Sequence, residues 1–260
     1  MRRFAVLLVF TSLSAAPVGN PAAPALVRKG LIVSSDDWSF RLGYEGDFVA
    51  DGRMGQFDQG QGRVDQYQQN THSGVVTLNL VGRLDLYGVL GSSRTEADWR
   101  FEDMAAETIA RIDMETEQNF LWGVGARAIL YEWCNTFLGL GGRYAACDYT
   151  PEWLTSNGTA ESVDGTQFSW REWQLSLDFA YKIDFLTPYI GIKYSNARTL
   201  LRNFSTPISA NLTGSDTFEN RIPVGLYLGC SLSNGNYFIL NVEGRLVDEE
   251  AVTVSADLKF

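Results

Sequence analysis

The end of the chain alternates strictly between two kinds of residue. Val252, Val254, Ala256, Leu258 and Phe260 are apolar, and Thr253, Ser255, Asp257 and Lys259 between them are polar. In a strand, successive side chains point to opposite faces, so this segment has one greasy face and one charged face. The segment before it repeats the pattern, with Phe238, Leu240, Val242, Gly244 and Leu246 set against Asn241, Glu243 and Arg245. A soluble sandwich can share that period. Length separates the two cases: strands that cross a bilayer need roughly 9–11 residues, while soluble strands are nearer five or six.

Similar segments lie at about 38–50, 74–81, 84–92, 119–131, 136–148, 168–182, 186–197 and 222–233, which makes about ten strands in all. The connections fall into two kinds. Short ones sit at 82–83, 132–135, 183–185 and at Asn234-Gly235, the last a strong hairpin signal. Long polar ones span 51–73, 93–118, 149–167 and 198–221. Short and long alternate until a last tight hairpin at 247–249, as in membrane barrels with tight periplasmic turns and long external loops. The expected fold is all-β, a transmembrane antiparallel up-and-down barrel of about ten strands. The count rises to 12–14 if 51–73 and 93–118 hide further strands. Closure is required, because an open edge in hydrocarbon would leave backbone groups unpaired.

The first residues assign the compartment. Met1-Arg2-Arg3 is a basic start, residues 4–10 (FAVLLVF) are apolar, and Ser12 to Ala16 are mostly small. That is the build of a secretory signal. Cleavage is expected after Ala15, which makes 1–15 the signal, 16–36 a periplasmic N-terminal segment and 37–260 the barrel. A net charge of -10 argues against nucleic acid, whose phosphates call for clustered Lys and Arg.

The outward set includes Trp38, Phe40, Leu42, Tyr44, Phe120, Trp122, Leu175, Leu177 and Phe179, with Trp38, Trp173, Tyr181 and Tyr194 placed for interfacial girdles. The inward set is charged. The first half supplies Arg41, Glu45, Asp47, Asp85, Arg127 and Arg143. The second supplies Glu172, Asp178, Lys182, Lys193, Glu243, Arg245, Asp257 and Lys259. These are candidates to line a pore; with both signs present they could equally pair and fill a narrow barrel.

Catalytic constellations are poorly served. His72 is the one histidine and reads as an external loop residue beside Ser73, with no orienting partner in sight. Cys134 and Cys147 lack zinc-ligand spacing. Asp51, Asp58 and Asp65 share one loop and could hold a divalent cation, although loop acids are usually just solvated. No cofactor, metal or enzymatic activity is expected. Residues 103–113 (DMAAETIARID) read as a helix, either on the rim or folded into the pore. The Gln-rich 56–69 stretch reads as an external loop.

Several runs resemble the chlamydial major outer membrane protein family. Pro17 to Pro24 (PVGNPAAP) is similar to that family's PVGNPAEP opening, and residues 41–49 (RLGYEGDFV) to its RxGYYGDFV first strand. Residues 122–128 (WGVGARA) are similar to WSVGARA, and Glu172-Trp173-Gln174 with 187–193 (TPYIGIK) to EWQ and TPYIGVK. Residues 245–249 (RLVDE) and the closing Phe260 are similar to RLIDE and a terminal Phe. The resemblance implies an abundant outer-membrane porin with variable, antigenic surface loops. A non-channel barrel serving as adhesin or structural envelope protein is the alternative. This chain is shorter than the family pattern and cysteine-poor, with three cysteines.

Expected partners are outer-membrane lipid, the barrel-assembly machinery reading Phe260, and further copies of the chain. Cys134 sits in a short periplasmic turn and Cys147 near the external rim, roughly 40 Å apart at about 3.3 Å per residue. They cannot form a disulfide. Cys230 belongs to the lipid-facing set, which leaves Cys134 as the residue able to crosslink with other envelope proteins, as the resemblance suggests; the alternative is that all three cysteines stay reduced and unlinked.

Overall fold

The structure is a computed structural model that describes residues 17–27, 30–31, 37–56, 63–103, 108–203 and 217–260. Its strands are β1 Trp38–Gly52, β2 Met54–Gln56, β3 Arg63–Leu80, β4 Leu84–Asp103, β5 Thr108–Thr116, β6 Asn119–Trp133, β7 Thr136–Tyr149 and β8 Pro151–Ser156. There follow β9 Thr159–Ala160, β10 Gln167–Tyr181, β11 Leu186–Arg202, β12 Thr217–Asn220, β13 Val224–Ser233, β14 Phe238–Leu246 and β15 Glu249–Lys259. One short helix, α1 Ala23–Leu26, precedes them.

Ten of the strands close a ring in the order β1, β3, β4, β6, β7, β10, β11, β13, β14, β15. β15 returns to β1 in antiparallel register from Arg41↔Lys259 to Gly52↔Glu249. Each of the ten expected segments is one of these strands, and 12–14 is not reached. The supposed long loops instead raise the wall. β3 starts at Arg63 and β4 runs to Asp103, paired with each other along their length. The short strands β2, β5, β8, β9 and β12 join the sheet above the ring, β12 bridging β11 to β2.

The helix expected over 103–113 is a strand from Thr108 on. Ala110, Ile112 and Met114 are buried while Arg111 is exposed, which is period two, and β4 and β8 supply hydrogen-bonding partners on either side. Ala105 and Ala106, which suggest a helical face, lie outside the described residues. Of the Gln-rich stretch, residues 63–69 belong to β3 rather than to a loop, and 57–62 lie outside the described residues.

A single strand meets two solvents. Along the outer face of β10, Ser169 and Arg171 give way to Trp173, Leu175, Leu177, Phe179 and Tyr181. Along its inner face, Phe168 and Trp170 give way to Glu172, Gln174, Ser176 and Asp178. The lower outer band is exposed and apolar, from Leu42 and Leu86 to Ile190 and Leu226. Aromatic girdles bound it, as the barrel architecture requires. Trp38, Trp133, Tyr181 and Phe185 lie at the periplasmic end. Trp122 packs on Tyr144 at 5.6 Å and Trp173 on Tyr194 at 5.7 Å at the external end.

Candidate functional site: a lumen filled in three layers

The lowest layer is the N-terminal segment. Residues 16–36 are expected to be a periplasmic segment; of those described, 17–27 lie inside the barrel instead, while Leu31 is exposed. Val18, Ala22, Leu26 and Val27 pack against Ile129, Phe137, Tyr189, Tyr227 and Ile239 of the wall. A polar wall cannot bury bare backbone without bonding it, and the inward charges do so. Glu243 accepts from the N–H groups of Val18 (3.1 Å) and Gly19 (2.7 Å). Arg127 donates to the Val18 carbonyl at 2.6 Å, Arg41 to Ala23 at 3.1 Å and Lys259 to Val27 at 3.0 Å. Asn79 and Ser233 bond the carbonyls of Pro24 and Leu26. At the top of the segment, Gln174 donates to the Pro17 carbonyl at 3.0 Å. Gly19 has φ +78° and lies against the Arg127 guanidinium, so no side chain fits there.

The middle layer is a charge network. Arg245 bonds Asp47 at 2.7 Å and Glu249 at 2.6 Å. Lys193 reaches Asp248 at 3.0 Å and Glu249 at 2.5 Å. Arg143 pairs with Glu45 at 2.9 Å, and Arg41 with Asp85. Asp178 takes a 3.3 Å bond from Ser176, and Asp257 lines a cavity of about 50 Å³ between the plug and β1. Thirteen of the fourteen inward candidates therefore come together in the lumen. Lys182 does not: it lies in the turn after β10 at the periplasmic rim, its N–H bonded to the Asn135 carbonyl.

Asp248 and Glu249 are site residues that sequence reasoning missed. They look like an exposed hairpin tip, yet both are almost fully buried. The available clue was length. β14 and β15 have 9 and 11 residues, whereas β10 and β11 have 15 and 17, so their hairpin stops inside the taller wall.

The external layer is a packed apolar core. Met54, Tyr67, Trp99, Ile112, Leu154, Phe168, Trp170 and Phe218 meet inside the raised wall. Cys147 is buried here, Cys230 is half-buried on the outer face, and Cys134 is exposed in the β6–β7 turn. His72, expected in a loop, is on β3; its Nδ1 lies 2.6 Å from the Tyr44 hydroxyl on the outer face. Asp65 takes a 2.6 Å bond from Arg100, and Asp58 lies outside the described residues.

Known outer-membrane proteins resemble this chain. Residues 154–206 match the family model described as Chlamydia major outer membrane protein. The major outer membrane porin of Chlamydia trachomatis serovar F is 25% identical over 385 aligned positions, covering 99% of this chain and 98% of that one. The Chlamydia muridarum major outer membrane porin is 24% identical with the same coverage. Among solved structures, the β domain of the Bordetella autotransporter BrkA overlays with a TM-score of 0.45 at 13% identity, covering 86% of this chain and 98% of that one. An outer membrane channel from Pseudomonas putida F1 overlays at 0.42 and 11% identity, covering 90% and 98%. This chain is similar along nearly its whole length to the chlamydial major outer membrane porins, and it is a β-barrel of the bacterial outer membrane.

Proposed function

We propose that this porin-like barrel passes small solutes by passive diffusion, and that residues 17–27 shut it in the present conformation. The nature of the seal carries the reading. The segment that blocks the membrane half is not part of the wall, and hydrogen bonds and apolar packing hold it there. It can withdraw toward the periplasm without unzipping a strand pair. The charges that now bond it would then face water and act on passing ions. Inward carboxylates outnumber inward cations, nine (Glu45, Asp47, Asp85, Glu172, Asp178, Glu243, Asp248, Glu249, Asp257) to six (Arg41, Arg127, Arg143, Lys193, Arg245, Lys259). An unplugged lumen would favour cations.

The same reading takes residues 1–15 as an export signal removed after Ala15, and Phe260 as the residue offered to the assembly machinery. Phe260 closes the last strand with its N–H on the Phe40 carbonyl at 2.9 Å. No catalytic role is assigned. His72 on the outer face, bonded to Tyr44, supports that assignment.

The external core favours a second reading, a barrel that never conducts and serves as adhesin or structural envelope protein. Its aromatic residues belong to wall strands and cannot leave as the plug can. Planar-bilayer recording on the mature chain, and on a form lacking 17–27, separates the two. The porin reading expects rare steps from the first and frequent, larger, cation-selective steps from the second. Silence from both would establish the non-channel reading.

A further inference from the structure

Two opposite charges on the wall are kept apart by the plug. Arg127 stands on β6 and Asp178 on β10, with β7 between them. Arg127 is in register with Gly141 of β7, and Gly141 with Ser176; one inward step lower, Gly139 is in register with Asp178. The wall positions that separate the two charges are therefore glycines, and the plug takes the room they leave. A Cβ added to Gly139 would lie 2.5 Å from Pro21 Cβ, and one added to Gly141 would lie 3.9 Å from Val18 Cγ1.

Among the described residues, neither charge forms an ion pair while the plug is seated. Arg127 donates to the Val18 carbonyl at 2.6 Å and lies over the Tyr87 ring, its guanidinium carbon 5.6 Å from the ring centre. Asp178 is 1% exposed; its Oδ1 has no donor, and its Oδ2 has the Ser176 hydroxyl at 3.3 Å. The neighbouring groups are taken. Asp85, the cross-strand partner of Arg127, is held by Arg41 and by Asn79 at 2.6 Å. Glu243 is committed to the plug and to the Tyr189 hydroxyl. Lys193, Arg245 and Arg143 hold Asp248, Glu249, Asp47 and Glu45. A buried carboxylate without a counter-charge is costly, so the seated plug leaves Asp178 in an unfavourable place.

Two inter-strand spacings, about 10 Å, separate β6 from β10. The long Arg127 side chain can cross that gap toward Asp178 once Val18 and Pro21 are gone, because only glycine lies between. We propose that Arg127 and Asp178 form an ion pair of the unplugged lumen, so that Arg127 exchanges the Val18 carbonyl for the Asp178 carboxylate as the plug leaves. One cation then serves both states, and the plug is held against a competitor built into the wall. The exchange also sets the charge that the open lumen offers. Among the described residues, it leaves Glu172 and Asp257 as the inward carboxylates with no cationic partner. This inference rests on the reading that 17–27 can withdraw.

Hydrogen exchange over 17–27, followed by mass spectrometry on the folded barrel in vesicles, reads the open population. Asp178→Asn keeps the shape and removes the charge. It should slow that exchange on the order of fivefold, the upper scale of a solvated ion pair. In an Arg127→Gln background most of that effect should vanish. Unchanged or faster exchange in Asp178→Asn overturns the pair. So does equal slowing with and without Arg127, which would assign the effect to the burial of Asp178 alone. Should Arg127→Gln fail to fold, salt puts the same question to the native side chain. A pair in a wet lumen weakens as salt rises toward about 1 M, so added salt should slow exchange more in wild type than in Asp178→Asn. An equal response in both overturns the pair. A segment that exchanges only together with the wall strands, in every form, overturns withdrawal and pair alike. Conductance is not read, so silence in the bilayer counts against the porin reading alone.

Discussion

The membrane half and the external half of this barrel are built from the same strands and obey opposite rules. In the membrane half the outside is apolar and the inside is charged, because lipid lies outside and the plug's bare backbone lies inside. Above the girdle, water lies outside, so the wall turns Arg94, Glu96 and Arg100 outward and Ala97 and Trp99 inward. A transmembrane barrel thus becomes an ordinary soluble one partway up each of the taller strands. Burial in this chain follows the solvent at each height. The crossover on the inner face of β10 is the step from Trp170 to Glu172.

Substitutions placed at matching positions in the two halves test this contrast. The largest effect should come from the external core. Phe168→Ala should cost about 3–5 kcal/mol, the usual range for a buried aromatic, while Ser176→Ala on the same inner face lower down should cost far less. Urea titration of the barrel in vesicles would measure both. Equal losses would mean that the external half is not held by apolar packing.

Next is a charge placed on the outer face at two heights. Leu177→Arg faces hydrocarbon and should cost roughly 2–4 kcal/mol if it lies near the midplane. Ser169→Arg, on the same face above the girdle, should stay within about 0.5 kcal/mol. Heat-modifiability on gels would rank them, and a Ser169→Arg barrel that fails to insert would move the membrane boundary upward.

The smallest effect should be at Cys134, which is exposed in a periplasmic turn and belongs to neither half. Cys134→Ser should leave stability unchanged. The proposed crosslink predicts that it removes any disulfide-linked species from non-reducing gels of envelopes. Crosslinked forms that persist without Cys134 would sink that role, since Cys147 is buried in the external core.

Local alternation along the chain was enough to read the ten membrane strands, their order and the residues that face lipid. Alternation with period two over segments this long suits a strand with lipid on one face and little else, and hydrocarbon imposes it one residue at a time. It also marked thirteen of the charges that meet in the lumen. What it could not show was anything set by the far side of the barrel. The stretches 63–72 and 93–103 read as loops because polar residues outward in water and mixed residues inward leave no greasy stripe. Asp248 and Glu249 read as an exposed turn, because only the taller neighbouring strands bury them. The N-terminal segment reads as periplasmic, since nothing within 17–27 specifies its partners. Those partners, Glu243, Arg127 and Lys259, are brought together only when the ring closes. A strand's own faces are local properties, whereas the contents of a lumen depend on every strand at once, so tertiary structure alone decided that this one is filled.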